Sequence, residues 1–137
     1  MNGNNTYLTK VFHFCAAHKY GNEEWSDEKN KEVFGKDVMV HGHNYELHIT
    51  VKGNLDPDTG FIVDLEYLKK LVKENVISKL DHTQFEKDIA WFKGKQPSTE
   101  NLVVFIWDSI EKDLEGCFLH RIRLIETPTI YTDYYGK

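Results

Sequence analysis

The chain has 137 residues, of which 40% are hydrophobic, 13% aromatic and 28% charged. That length supports a core of its own, and the aromatic content excludes a mostly disordered chain. A formal net charge of −5 argues against nucleic acid as the main partner, and no apolar run reaches the roughly 20 residues of a membrane-spanning helix.

The polar start, Met1 to Thr6, lacks the basic-then-apolar pattern of a signal peptide. Two cysteines, Cys15 and Cys117, make no disulfide framework, so a cytoplasmic location is expected. No repeat or linker divides residues 1–137, which read as one domain.

Tyr7 to Ala17 reads as a strand rich in aromatic and β-branched residues. Lys19 to Lys36 is a polar insertion in which Ser26-Asp27-Glu28 caps a short helix that Gly35 ends. Long insertions of this kind often border sites. Tyr45, Leu47, Ile49 and Val51 alternate with polar residues and predict a half-buried strand. Gly53 ends it, and Asp56-Pro57-Asp58-Thr59-Gly60 is a turn. Asp64 then stands as an N-cap for a helix whose core stripe is Leu65, Leu68, Val72 and Val76, continuing to Leu80. Gln84 to Gln96 reads as irregular, with Phe85, Ile89, Trp91 and Phe92 packed inward. Ser98 or Thr99 caps a second helix, which Gly116 closes. Phe118 to Glu126 and Thr129 to Tyr134 are the last strands. The order ββααββ predicts an α+β fold, a four-stranded antiparallel sheet with two helices on one face. Its two open edges are a liability that oligomerisation would remove.

One stretch stands out for chemistry. In Val40-His41-Gly42-His43-Asn44-Tyr45, two imidazoles sit two residues apart at the start of a strand, so both point to one side. Gly42 adds no side chain to crowd them. Imidazole is the commonest zinc ligand, and His18, at the end of an earlier apolar run, is the candidate for a third. Read alone, the pair is also compatible with two surface strand histidines; the spacing favours ligands. His13, His48 and His120 lie in strand patterns without a matching motif and read as structural. Cys117 reads as core.

These residues carry a family resemblance. The blocks are Phe12-His13-Phe14-Cys15-Ala16-Ala17-His18, His41-Gly42-His43-Asn44-Tyr45, Gly60-Phe61-Ile62-Val63-Asp64-Leu65, Leu80-Asp81-His82, Pro97-Ser98-Thr99-Glu100-Asn101 and Glu126-Thr127. In this order and spacing the chain resembles the 6-pyruvoyl-tetrahydropterin and 6-carboxytetrahydropterin synthases. The resemblance implies the tunnelling fold, with trimers closed into one barrel, stacked as a dimer of trimers into a homo-hexamer, and active sites between subunits. It implies zinc on His18, His41 and His43, and a lyase acting on 7,8-dihydroneopterin triphosphate with loss of triphosphate. Glu126 matches the pterin anchor. Glu100 has two readings, a pterin contact or a carboxylate at a helix N-terminus. Asp81-His82 matches the proton-relay pair, and Asp64 reads as a cap rather than a catalyst.

The resemblance breaks at one place. Most members carry a cysteine shortly before the His-Gly-His block, and its thiolate is the base. Lys36-Asp37-Val38-Met39-Val40 contains none. Asp37 stands four residues before His41, where the carboxytetrahydropterin branch has its cysteine. Three outcomes stand open. Asp37 acts as the base, although a carboxylate (reference pKa about 3.9) is weaker than a thiolate (about 8.5) unless burial strengthens it. Cys15 supplies the thiol, although its strand parity turns it away from His18. Or the chain binds pterin and zinc with little turnover. A further analogy is to relatives that use a glutamate near this segment and cleave the side chain to 6-hydroxymethyl-dihydropterin; Met39 stands at that glutamate's place.

Overall fold

A computed structural model describes residues 6–137; the polar stretch Met1–Asn5 lies outside the described residues. Four antiparallel strands form one sheet in the order β1-β2-β3-β4: β1 Tyr7–His18, β2 His41–Lys52, β3 Phe118–Thr127 and β4 Ile130–Tyr134. Between them lie α1 (Asp27–Phe34), α2 (Leu65–Val72), α3 (Ser78–Leu80), α4 (Phe85–Asp88) and α5 (Thr99–Ile110).

Period-two alternation decides which face of the sheet is covered. Phe12, Phe14 and Ala16 of β1, Tyr45, Leu47, Ile49 and Val51 of β2, and Ile122 and Leu124 of β3 are all buried on one side. Leu68, Val72, Val76 and Leu80 meet them from the first helical layer, and Leu102, Val103, Ile106 and Ile110 from α5. Cys117 joins the same core. Truncating any one of the fully buried leucines would cost about 2–5 kcal/mol.

The helix starts follow their caps. The Ser26 side chain accepts from the Lys29 N–H, Asp64 from the Glu66 N–H at 3.0 Å, and Ser98 from the Asn101 N–H at 3.2 Å. Gly35 ends α1 at φ 62°, as the sequence predicts.

The stretch expected to be irregular holds α4 and the 3-10 turn Ala90–Phe92, and three further details differ from the sequence reading. The expected helix from Leu65 to Leu80 is broken by a π-turn, Lys73–Ile77, between α2 and α3. Its buried residues recur strictly every fourth position, a row that drifts about 40° per step in a regular α-helix. A wider i→i+5 turn returns Val76 and Leu80 to the sheet. Leu65 lies about 60° off that row and is 45% exposed, so it leaves the core stripe. Gly116 does not cap α5, which ends at Ile110 and passes through the 3-10 turn Glu111–Asp113; at φ 87° it turns the chain into β3. Among the described residues, no helix is long and apolar enough to cross a membrane.

Candidate metal centre

Sheet register brings the three histidines together. His18, the last residue of β1, pairs with His41, the first of β2, and Ala16 pairs with His43. Paired residues share a face, and so do i and i+2. All three rings therefore leave the core side of the sheet at its end, just past Ala16 and Tyr45. Ring centroids are 4.5 Å apart for His18 and His41, 5.1 Å for His18 and His43, and 5.2 Å for His41 and His43. One ligand atom from each lies within 4.8 Å of the others. A Cβ on Gly42 would stand 3.2 Å from the carbonyl oxygen of Ala16, so β1 runs tight against β2 at the residue between the two β2 ligands.

Hydrogen bonds fix which nitrogen is free. His18 donates from Nδ1 to the carbonyl oxygen of Pro97 at 2.8 Å, and His41 from Nδ1 to that of Met39 at 2.8 Å. A carbonyl only accepts, so each ring carries a proton on Nδ1, which leaves Nε2 as the nitrogen able to ligate. His18 is completely buried, and the Nε2 atoms of His18 and His43 are buried without any hydrogen-bond partner. Burial foremost pushes the His43 imidazole below its ordinary pKa, against the opposing pull of Glu126. Buried, unpartnered imidazole nitrogens at this separation fit a metal ion, which requires deprotonated ligands.

Two carboxylates border the trio. Glu126 Oε2 lies 3.7 Å from His18 Nε2 and 3.8 Å from His43 Nε2. Asp37 Oδ1 lies 3.7 Å from His41 Nε2, in the 3-10 turn Gly35–Val38 between α1 and β2. The Asp37 side chain is 57% exposed, so this chain alone does not supply the desolvation that a carboxylate base needs. Glu100 sits in the first turn of α5 and accepts from the Thr99 hydroxyl at 3.1 Å. That helix start reaches the centre through the carbonyl of Pro97.

Asp81 and His82 are paired with each other but not with the trio. Asp81 Oδ2 lies 2.9 Å from His82 Nδ1, and its Oδ1 accepts the Cys15 N–H at 2.9 Å. The His82 N–H donates to the Cys15 carbonyl at 2.6 Å, and the Ala17 N–H to that of Thr83 at 2.8 Å. Since β2 occupies the other side of β1, these bonds place the pair on the outer edge of the sheet. His82 is the one described non-glycine residue at positive φ, 61°, and its ring is 80% exposed. Nearby, an open cavity of about 570 Å³ is lined by Cys15, Gly42, Asn44, His82, Thr83 and Gln84. The Cys15 thiol donates to Asn44 Oδ1 at 2.9 Å, on the sheet face opposite the imidazoles, as its strand parity predicts.

Two tyrosines escape the sequence reading. Tyr20 stacks beside Phe34, lies 5.1 Å from the His18 ring, and donates its backbone N–H to the carbonyl of Asp37. Burial, with Glu126, Asp37 and Glu100 adding repulsion, raises its phenol and keeps it protonated. Tyr45 is fully buried against His43, and its hydroxyl has no partner. Their two-residue spacing from His18 and His43 is the signal that would have found both.

Helices on one face of a four-stranded antiparallel sheet define a protein of the α+β tunnelling fold, and this one carries a sheet-borne trio of imidazoles able to hold a metal ion. The sequence profile described as 6-pyruvoyl tetrahydropterin synthase matches residues 7–137, and the chain belongs to that enzyme family. It is 41% identical over 133 residues to a 6-pyruvoyl tetrahydrobiopterin synthase of Poecilia reticulata, covering 96% of this chain and 90% of the relative. It is 34% identical over 138 residues to a 6-carboxy-5,6,7,8-tetrahydropterin synthase of Bacillus subtilis (strain 168), covering 95% and 85%. The solved structure of Caenorhabditis elegans 6-pyruvoyl tetrahydropterin synthase superposes with a TM-score of 0.89 at 32% identity, covering 96% of each chain.

Proposed function

We propose that the protein is a zinc-dependent lyase of the 6-pyruvoyl/6-carboxytetrahydropterin synthase type, acting on 7,8-dihydroneopterin triphosphate with loss of triphosphate. The observation that carries this reading is the pair of buried, unpartnered Nε2 atoms on His18 and His43, with His41 completing the set. Three neutral nitrogens leave a position open, the pattern of a catalytic rather than a structural zinc site. Zinc bound there supplies Lewis acidity toward a hydroxyl oxygen of the substrate side chain.

The chain's own groups do the rest. Glu126, and Glu100 at the start of α5, accept hydrogen bonds from the ring N–H and exocyclic amino group of the pterin. Asp37 takes the proton from the side-chain carbon, and the electron pair left behind drives tautomerisation and expulsion of triphosphate. In the Asp81–His82 pair the carboxylate holds the Nδ1 proton, so His82 Nε2 is the atom that exchanges protons. The pair sits on the outer edge of β1, so it serves a site on a neighbouring copy. Exposed Tyr7 and Val11 on β1, and Ile130 and Tyr131 on β4, suit sheet-to-sheet closure into a hexamer built as a dimer of trimers. A cytoplasmic location completes the reading.

A pterin- and zinc-binding protein with little turnover is the second reading, favoured by the exposure of Asp37. The test is incubation of the zinc-loaded protein with 7,8-dihydroneopterin triphosphate, followed by triphosphate assay and product mass. Triphosphate release with a pyruvoyl or carboxy product supports the lyase. A hydroxymethyl product assigns it to side-chain cleavage instead, and tight pterin binding without product supports the binding protein.

A further inference from the structure

Four potential ligand atoms converge at the end of the sheet, the Nε2 atoms of the three histidines and a carboxylate oxygen of Glu126, and no hydrogen bond joins any of them to another. His18 and His41 are each tied through Nδ1 to a backbone carbonyl, which leaves Nε2 as the nitrogen that faces the others. Glu126 aims a carboxylate oxygen at two of the three nitrogens, at 3.7 and 3.8 Å, too far for a hydrogen bond. Neighbouring ligand atoms of a tetrahedral zinc stand about 3.4 Å apart, given metal bonds of about 2.0–2.2 Å. The Glu126 separations are close to that edge. Its carboxylate is 15% exposed, and among the described residues it accepts no hydrogen bond. Acceptors gathered in a partly dry space repel one another unless a cation joins them.

The sequence position explains the aim. Glu126 continues the inward row Ile122 and Leu124 by one more step of two. The β3–β4 register breaks between Ile125 and Thr127, so Glu126 has no partner on β4, and β2 pairing stops at Ile125. The residue is therefore both pointed at the trio and released from the ladder.

Resting on the metal-site reading above, we infer that Glu126 is the fourth ligand of the centre in the substrate-free protein, and that a seated pterin ring draws it away. The ring N–H and exocyclic amino group offer two parallel donors to the same carboxylate. Glu126 exchanges its metal contact for those two bonds, and the vacated position becomes available to the substrate hydroxyls. The centre is closed at rest and opens only when the correct heterocycle is bound. A molecule with vicinal hydroxyls but no such ring leaves it closed.

The test uses the full chain loaded with cobalt(II) in place of zinc, because its visible bands report coordination number. The probe is unsubstituted pterin, which carries no side-chain hydroxyls. Saturating pterin is expected to change the cobalt bands of the wild type. The isosteric Glu126→Gln variant is expected to show changed bands without pterin, little further change on its addition, and zinc affinity lower by more than the roughly 10–100-fold that loss of an outer-shell partner costs. Unaltered wild-type bands at pterin saturation, measured by quenching of pterin fluorescence, overturn the inference without any variant. So do Glu126→Gln bands and zinc affinity equal to the wild type's. A wild type that takes up no cobalt overturns the metal-site reading together with this one.

Discussion

His18 is hydrogen-bonded through Nδ1 to the carbonyl oxygen of Pro97 at 2.8 Å, which ties the last residue of β1 to the residue before the cap of α5. The bond does two tasks, orienting a ligand and satisfying a carbonyl ahead of a buried helix. His18→Ala is therefore expected to remove the metal and to destabilise the metal-free protein by about 1–3 kcal/mol, the cost of an unpaired buried polar group. His41 is partly exposed, and its Nδ1 bond goes only to Met39 two residues away. His41→Ala should remove the metal while shifting apo stability by less than about 1 kcal/mol. Metal content by mass spectrometry and urea unfolding of the apo variants check both; equal stability losses would refute the distinction.

Asp37 stands 3.7 Å from His41 Nε2 with most of its side chain in solvent. Asp37→Asn should leave stability within about 0.5 kcal/mol and lower kcat about 10²–10⁴-fold, the usual contribution of a positioned base. Asp37→Cys should retain turnover, since a thiolate there restores a stronger base. Undiminished kcat in Asp37→Asn would assign proton abstraction to another group.

Two hydrogen bonds, first from the Cys15 N–H and then from His82, hold the Asp81 carboxyl below the ordinary carboxylate range. A carboxyl depressed in the folded state binds fewer protons there than in the unfolded chain, so stability rises with pH across the window between the two values. The contribution is complete above the unfolded value of about 3.9 and is lost as pH falls through the folded one. Asp81 is over a third exposed, so solvent screening keeps the effect small. Urea midpoints measured from pH 6 to pH 2 should fall less steeply at the acid end in Asp81→Asn than in the wild type. Identical slopes would contradict the assignment.

Gly136 packs against Trp107 near the end of the chain. Its φ is 83°, and a Cβ there would meet Trp107 Cζ2 at 2.5 Å. Gly136→Ala should cost about 1–3 kcal/mol through strain and displaced packing. It should also expose the indole, which contacts Tyr134 of β4 at 5.5 Å. A red shift in tryptophan emission with a lower urea midpoint is the expected result.

Much of this architecture was legible because its signals are local. Alternation from Tyr45 to Val51 defines the inward face of β2, and Asp64 and Ser98 mark helix starts through side chains that accept nearby N–H groups. His41 and His43 converge for the same period-two reason. The third ligand needed register, which alternation alone does not specify; His18 was legible as a candidate at the end of an apolar run, and pairing with His41 explains it. Glu126 was legible as a site residue, but its approach to His18 and His43 depends on the end of ladder pairing after Ile125. The π-turn at Lys73–Ile77 was hidden because a four-residue repeat is close enough to helical spacing to pass for it. Tyr45 reads only as an inward strand residue and Tyr20 falls in a stretch that reads as a polar insertion; their two-residue spacing from His43 and His18 marks them only once those histidines are placed in a site.

The backbone carbonyl that occupies the space beside Gly42 has a wider consequence. The imidazoles hang from alternate rungs of a paired ladder, so the aperture between them is set by the repeat distance of the polypeptide and not by any loop. Such a centre tolerates extensive rewriting of the segment from Lys19 to Val40 while its ligands keep their places. Divergent chemistries can therefore arise over one unchanged ion seat by exchanging only the base that leans over it.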